Sequence, residues 1–369
     1  MSQIKLPILK KLLILMNIGV IVCYLLTCLL PFVNTEILWF IAILGLGFPL
    51  LFFALVGFII LWIIFRSRWW LISFIVLIIG YKQVVSVFAF NFPAKFAMNK
   101  APETLRVLHW NVSSWDNLEN ENQDSYRDKM LDLVNDQQAD ILCIQEFFEF
   151  KNKKEEKSNI LALEKMGYKY YYFIPYDANT YKYLMGTAIF SKYPMNNSVD
   201  YAFSDDIVGE HLLQTDINVS GKTFRLMTTH LQSVRFEGSD YDNFNLIKTG
   251  KNPKLHGSRT LISKLKRGYE FRYEQAVLVS SKIVESSYPV IITGDFNDVP
   301  NSSTYFEIKG DLQDAFLKKG TFIGRTFRFL SPTLRIDYIL ADKTFKVTQF
   351  KRLTVPYSDH YGLVTDLSY

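Results

Sequence analysis

Two uncharged apolar runs near the start of the chain, Leu12–Leu30 and Ile37–Phe65, constrain this sequence more than any other feature. Each reaches the roughly 20 residues that an α-helix needs to cross a bilayer core. A soluble helix needs only one apolar face, so runs that are apolar all round point to lipid as their solvent. A second run follows the first at once, which argues against a cleaved signal peptide. A third run begins at Trp69, carries Lys82 and Gln83, and ends near Phe92. Lysine at depth is unfavourable unless it snorkels or faces a neighbouring helix. Trp39, Trp62, Trp69 and Trp70 lie at run ends, where interfacial aromatics sit.

Basic residues then set an orientation. Lys5, Lys10 and Lys11 precede the first run, Arg66 and Arg68 separate the second from the third, and Asn34-Thr35-Glu36 carries no basic residue. The positive-inside rule puts the N-terminus and the Arg66–Arg68 connection in the cytoplasm. Three spans would place the remainder of the chain on the opposite side, and two would leave it in the cytoplasm. The outcome hangs on Lys82.

From Ala101 onward the composition is that of a soluble domain, so the overall 49% apolar content averages two solvents. Roughly 270 residues remain, enough for one large core. The net charge of +5 is modest, and the basic stretch from Lys248 to Arg272 hints at an anionic surface nearby. Three cysteines with no CxxC or Cys/His spacing make neither a disulfide framework nor a zinc site.

Strand-length apolar runs alternate with helical periodicity through this part. Strands are expected at Leu105–Asn111, Ala139–Glu146, Tyr168–Ile174, Thr187–Ser191, His211–Val219, Thr223–Leu231, Pro289–Gly294, Ile336–Leu340, Phe345–Leu353 and Gly362–Leu367. Ser220-Gly221 reads as a hairpin turn. Helices are expected at Tyr126–Gln138 and Arg272–Ser286. Hairpins mixed with helical connections favour a mixed sheet flanked by helices over a purely parallel one.

Polar residues recur where these strands end: Asn111, Gln145-Glu146, His230, Asp295-Phe296-Asn297, Asp337 and Asp359-His360. Any one of them is equally well a turn cap. Six such ends can meet on one sheet edge, and carboxylates, amides and two histidines suit a hard divalent cation and a phosphate better than zinc. Glu149 and Asp298, beside these blocks, read as exposed loop charges. His109 and His211 read as strand residues, and His256 as solvent-facing.

In order along the chain, Asn111-Val112, Gln145-Glu146, Gly186-Thr187-Ala188-Ile189-Phe190-Ser191-Lys192, Thr229-His230-Leu231, Gly294-Asp295-Phe296-Asn297, Arg335-Ile336-Asp337-Tyr338 and Ser358-Asp359-His360 resemble the signature blocks of the endonuclease/exonuclease/phosphatase superfamily. The resemblance implies an α/β (α+β) four-layer sandwich of two mixed β-sheets flanked by helices, preceded here by about three transmembrane helices. Together with the apolar runs, it divides the chain into a transmembrane region at 1–92 (spans near 12–32, 37–65 and 69–91), a linker at 93–103 and a catalytic domain at 104–369. It further implies Mg²⁺, with Mn²⁺ as the alternative ion, held by Glu146 with Asn111 and Asp359. Asp295 would orient or deprotonate the attacking water, with Asn297 holding that water or the phosphate. His360, oriented by Asp337, and His230 would contact the scissile phosphate. Such a protein is a metal-dependent phosphodiesterase, phosphatase or nuclease. Its partners would be the bilayer and a phosphate ester, either lipid headgroup or nucleic acid. The alternative is a catalytically silent module scaffolding a membrane complex. The segment Gln232–Phe271, with Arg259, Lys264, Lys266 and Arg267, is expected to choose the substrate. The span pattern suggests a bacterial inner-membrane protein with this domain in the periplasm.

Overall fold

The apolar runs fold as five helices: α1 (Leu6–Thr27), α2 (Trp39–Leu46), α3 (Phe48–Ile64), α4 (Trp69–Ile79) and α5 (Tyr81–Val87). The structure, a computed structural model, describes residues 6–35, 37–116, 126–151, 157–176, 182–203, 210–234 and 255–369. Lys5 and Glu36 lie outside these, as do the side chains of His256 and Arg259. Among the described residues one helical stretch, Ile8–Phe32, is long and apolar enough to cross a membrane. The pairs α2–α3 and α4–α5 bend by 65° and 63°, and each would add a span if it crosses as one unit.

Both bends have local causes. Pro49 opens α3 and has no N–H to continue the ladder of α2. Gly80 separates α4 from α5, and a Cβ there would lie 2.2 Å from the Tyr24 hydroxyl, so only glycine lets α1 pack this close. Inside the bundle the Asn17 amide joins three helices, accepting from Trp62 Nε1 (2.9 Å) and meeting Ser73 Oγ at 3.1 Å.

The chain makes these passes up and down. Lys10, Lys11, Arg66 and Arg68 therefore lie at one end, and the other end meets the rest of the protein. There Thr35 Oγ1 bonds Ser303 Oγ (2.7 Å), and a Cβ on Gly45 would lie 2.7 Å from the Asn301 carbonyl. Arg335 Nη2 donates to the Ser86 carbonyl in the last turn of α5 (2.7 Å), satisfying one of the orphan carbonyls of a helix C-terminus. Strand β1 (Ala89–Phe90) pairs antiparallel with β11 (Thr321–Phe322). Residues between β1 and the next strand are tied down, because Arg106 donates to the Ala97 and Met98 carbonyls.

Beyond the bundle are two six-stranded mixed sheets. The first runs β13-β14-β2-β3-β5-β4, from Lys346–Leu353, Gly362–Ser368, Thr104–Asn111, Ile141–Phe150, Tyr183–Ser191 and Tyr170–Pro175. The second runs β10-β12-β9-β8-β7-β6, from Gln313–Asp314, Asp337–Ala341, Val290–Asp295, Lys222–His230, His211–Val219 and Met195–Ala202. Among the described strands only β2–β3 and β8–β9 are parallel pairs. Side chains alternate across each strand. Leu105 and Val107 of β2 accordingly join Leu226 and Ile291 between the sheets, while Leu108 and Trp110 pack outward with Met130 and Val134 of the Arg127–Gln137 helix. The 30-residue helix Leu255–Val284 and the short helix Ser303–Lys309 cover the outer face of the second sheet. Helix, sheet, sheet, helix is the four-layer arrangement expected. Ser220 and Gly221 both take positive φ (52° and 82°), the hairpin geometry anticipated for that dipeptide.

Candidate active site

Parallel neighbours end at the same sheet edge, and here each parallel pair delivers polar residues there. Asn111 is in register with Gln145 in one sheet, and His230 with Asp295 in the other. Antiparallel β12 starts where β9 ends, so Asp337 faces Asp295 across the ladder. His360 lies just before β14 and bridges Phe327.

Two departures from regular strand aim the side chains. The β3–β5 register shifts between Ile144 and Phe147, and Glu146 within that bulge takes φ +51°. A bulge re-aims a side chain at the cost of one ladder position, a device common beside active sites. It lets Gln145 point between the sheets to Thr228 Oγ1 (2.8 Å) while Glu146 reaches Asn111 Nδ2 (3.1 Å). Asn297 also takes positive φ (52°), held by its N–H to Asp295 Oδ1 (2.9 Å) and its amide to the Leu231 carbonyl (2.9 Å). Gly294 precedes this turn because a Cβ would lie 2.6 Å from the Thr229 carbonyl.

At the centre is Asp295, 1% exposed. Its Oδ2 lies 3.3 Å from Asn111 Nδ2 and 3.6 Å from Nε2 of both His230 and His360. His360 Nδ1 meets Asp337 Oδ2 at 2.9 Å, and the other oxygen of Asp337 meets His109 Nε2 at 3.1 Å. Burial pushes the Asp295 carboxyl up to about 6, helped by the neighbouring charge of Asp337 and opposed by the two imidazoles. Burial acts on Asp337 in the same sense, yet the His360 charge and hydrogen bonds from His109 and His360 overcome it, holding Asp337 well below the ordinary carboxylate range. Burial likewise disfavours charge on His360, but Asp337, Asp295 and Asp359 outweigh it and raise the imidazole. At His230 burial, with the charge of His360, outweighs the nearby carboxylates of Asp295, Asp337 and Asp359 and lowers it. Two buried carboxylates with opposite shifts are the pattern of a group that moves a proton beside one that stays charged.

Could these residues hold a cation? Asp295, Asp337 and His360 offer atoms within 4.8 Å of one another. Both Asp337 oxygens are committed to imidazoles, however, so this trio is better read as a hydrogen-bond relay than as a ligand set. The carboxylates of Glu146 and Asp295 converge instead on one Asn111 amide. Two acidic oxygens with only a neutral amide between them suit a hard divalent ion. As oriented, Asn111 presents its NH₂ to those carboxylates, because its Oδ1 accepts from Ser113 N (3.1 Å). Half-buried Asp359 accepts from Ser358 Oγ (3.2 Å) and stands close enough to influence both histidines.

All eight residues singled out from the sequence lie around this one edge, and two more join them. His109 is fully buried on Asp337. Its signal was present: it sits two positions before Asn111, on the strand face that Leu105 and Val107 turn inward. Tyr176, at the end of β4, bonds His230 Nδ1 (2.8 Å) and had no motif to mark it. Two expectations fail. Glu149 is buried and caps the Asn159–Lys165 helix through Ile160 N (2.8 Å) and Ser158 Oγ (3.2 Å). Asp298 is buried against Arg272 (3.6 Å) and Thr304 Oγ1 (2.8 Å). Arg335 pairs not with Asp337 but with Asp314 Oδ2 (2.6 Å).

The chain belongs to the Endonuclease/Exonuclease/phosphatase family, which its residues 108–360 match; residues 10–87 match a domain of unknown function. Members of this superfamily hydrolyse phosphoester bonds and typically use divalent metals. Similar solved structures include the endonuclease/exonuclease/phosphatase from Beutenbergia cavernae (19% identity, 72% of each chain, TM-score 0.53). The human Nocturnin catalytic domain, solved with bound sulfate, is 21% identical over 72% of this chain and 93% of that one (TM-score 0.51). A Bacteroides vulgatus member is 19% identical over 72% and 98% (TM-score 0.50). At these identities the likeness is one of fold. No curated protein sequence matches the chain.

Proposed function

We propose that this protein is a membrane-anchored, Mg²⁺-dependent phosphoester hydrolase, with Mn²⁺ as the alternative ion. The observation that carries the reading is the buried Asp295 carboxyl, pushed up to about 6, flanked by two imidazole Nε2 atoms at 3.6 Å and facing Glu146 across Asn111. In the proposed step a water oxygen bonds to phosphorus as the bond to the leaving oxygen breaks. Asp295 accepts the proton that the water loses, and Asn297 holds the water or a phosphate oxygen. His360, kept charged and held in orientation by Asp337, donates to the non-bridging oxygens, and neutral His230 makes a second contact. The departing oxygen takes its proton from solvent. Glu146, with Asn111 and Asp359, would hold the divalent ion, which when bound neutralises charge on the phosphate. An Asn111 ligand bond would require its amide to turn from the orientation described.

The division into an anchor at 1–92, a connection at 93–103 and a catalytic domain at 104–369 is part of the same reading. Lys10, Lys11, Arg66 and Arg68 lie at the bundle end remote from the domain, which supports a cytoplasmic basic end and a catalytic domain across the membrane, in a bacterial periplasm. Lys82 is exposed in α5, past the bend at Gly80, which supports a third span with Lys82 toward its domain end. Cysteine labelling from either side of sealed vesicles tests the orientation; label at Lys100→Cys accessible only from the cytoplasmic side would refute it. For the chemistry, Mg²⁺ titration followed by calorimetry should show one or two saturable sites weakened by Glu146→Gln. A folded protein that binds no divalent ion and hydrolyses no phosphoester would leave the scaffold reading in its place.

A further inference from the structure

The cleft and the bundle are joined by one short segment. Phe322 packs its ring 5.7 Å from Phe88 and 6.3 Å from Phe53, and Ile323 is buried in the bundle core with Tyr24, Phe48 and Val76. Four residues on, Phe327 sets its ring 5.0 Å from His360, edge to face. Between them, Thr326 Oγ1 accepts the N–H groups of Ile336 (2.9 Å) and Asp337 (3.1 Å). Four extended residues reach at most about 14 Å. The phosphate-contacting histidine is thus within a headgroup's depth of side chains that belong to the bundle. A second tie confirms the side: six residues after Asp295, Asn301 is packed on Gly45 of α2.

The surface around this junction is unusual for one facing water. Phe92 is 94% exposed, Phe90 72%, Phe322 55% and Phe329 49%. Single exposed aromatics need no explanation, but a group continuous with an apolar bundle does. Aromatic rings collect at the bilayer interface. On another side of the bundle, the N-terminal half of the Leu255–Val284 helix lies against the turn after α1 and α2, with Tyr269 and Leu265 packed among Leu30, Ile41 and Ala42. Next to that seam it exposes Lys266 (3.5 Å from Glu270), Arg267 and Ile262. Cations beside exposed apolar side chains at the foot of a membrane bundle complement an anionic headgroup layer.

The geometry points to a catalytic domain that rests this rim on the outer leaflet of its own bilayer and takes the phosphoester headgroup of an anionic phospholipid laterally from that leaflet. This rests on the hydrolase and anchor readings above and adds the occupant and its route. A nucleic acid would have to enter between the rim and the membrane, against the same lipid charge.

The test uses the full chain in vesicles of phosphatidylethanolamine and phosphatidylglycerol. Three Mg²⁺-dependent rates are read: release of water-soluble phosphate compounds from the lipid, hydrolysis of a soluble bis-aryl phosphodiester, and cleavage of DNA. Phe92→Ser with Phe329→Ser should lower the lipid rate at least tenfold and leave the soluble diester rate unchanged, and Lys266→Glu with Arg267→Glu should separately lower the lipid rate at least tenfold. Independently of turnover, Phe92→Trp should show emission quenched by brominated lipid. Variants that match the parent on lipid, an unquenched Trp, or DNA cleaved in preference to lipid would overturn the proposal. A parent active on none of the three substrates would overturn the hydrolase reading, and this one with it.

Discussion

In the bundle, Asn17, Trp62 and Ser73 are buried polar side chains that satisfy one another in a closed set of neutral hydrogen bonds. In the cleft, Asp295 and Asp337 are buried carboxylates, and Asp295 shares its surroundings with Glu146, a second acid, across a single amide. The first arrangement serves packing: each group finds a partner of matching polarity, and nothing is left to react. The second holds like charges together where water cannot screen them, and several kcal/mol of desolvation per ion work against it. A fold tolerates that where a cation is to bind beside the carboxylates. Polar residues of the bundle should therefore matter to assembly and not to turnover, and those of the cleft the reverse.

The sharpest way to break this contrast is to remove the cation. Chelation should abolish phosphoester hydrolysis, and added Mg²⁺ should restore it, while the melting temperature of the bundle stays put. Next in size, Asp295→Asn and His360→Ala should each lower kcat by roughly 10³-fold, near the upper part of the range for a general base or charge-stabilising donor. Asp295→Asn should also leave the protein at least as stable, since it removes a strained buried charge; a large stability loss would show Asp295 to be structural. The pH dependence follows from the same carboxyl. Its folded value is raised to about 6, so hydrolysis, which needs the ionised form, should rise with pH through that value and be lost below it. Stability should run the other way. The native state keeps a proton that the unfolded chain has already released, so stability contributed by this group is present at low pH and lost as pH climbs toward 6.

Smaller effects separate positioning from contact. His109→Ala should lower kcat by about tenfold with little change in KM, because Asp337 loses one of two hydrogen bonds yet keeps His360. His109→Gln, which can still donate, should recover part of it. Smallest is Asn17→Leu in the bundle. Membrane hydrogen bonds average about 0.6 kcal/mol, so loosened helix packing should register in thermal unfolding without any change in turnover. A loss of turnover in that variant would mean the bundle and cleft are not separable as argued.

How much of this could be read from the residues alone? The strand ends could, because apolar runs of strand length stop at Asn111, His230 and Asp295, and such ends can meet on one sheet edge. Strands alternating with amphipathic helices pointed to a mixed sheet flanked by helices, and the resemblance to the superfamily implied the four layers. Strand β6 did not, since Met195–Ala202 is a polar edge with no inward face to give it a pattern. The helix around Arg272 begins near Leu255, far earlier than expected, because its first half buries its apolar side against the bundle and not the sheet. Glu149 and Asp298 deceived by proximity: charges next to catalytic motifs look exposed until a helix end or a buried Arg272 claims them. His109 was legible by parity with Asn111 but lacked a partner in the sequence, since Asp337 lies 228 positions away. The bend at Gly80 decides how Lys82 sits, and a hydropathy run averages straight across it.

The most direct test of the central claim is hydrolysis of the soluble bis-aryl phosphodiester in heavy-oxygen water with Mg²⁺ present. Attack on phosphorus by a water deprotonated at Asp295 predicts one solvent oxygen in the product phosphate, none in the released phenol, and turnover slowed roughly 10³-fold in Asp295→Asn. Label in the phenol, or undiminished turnover by that variant, would contradict it.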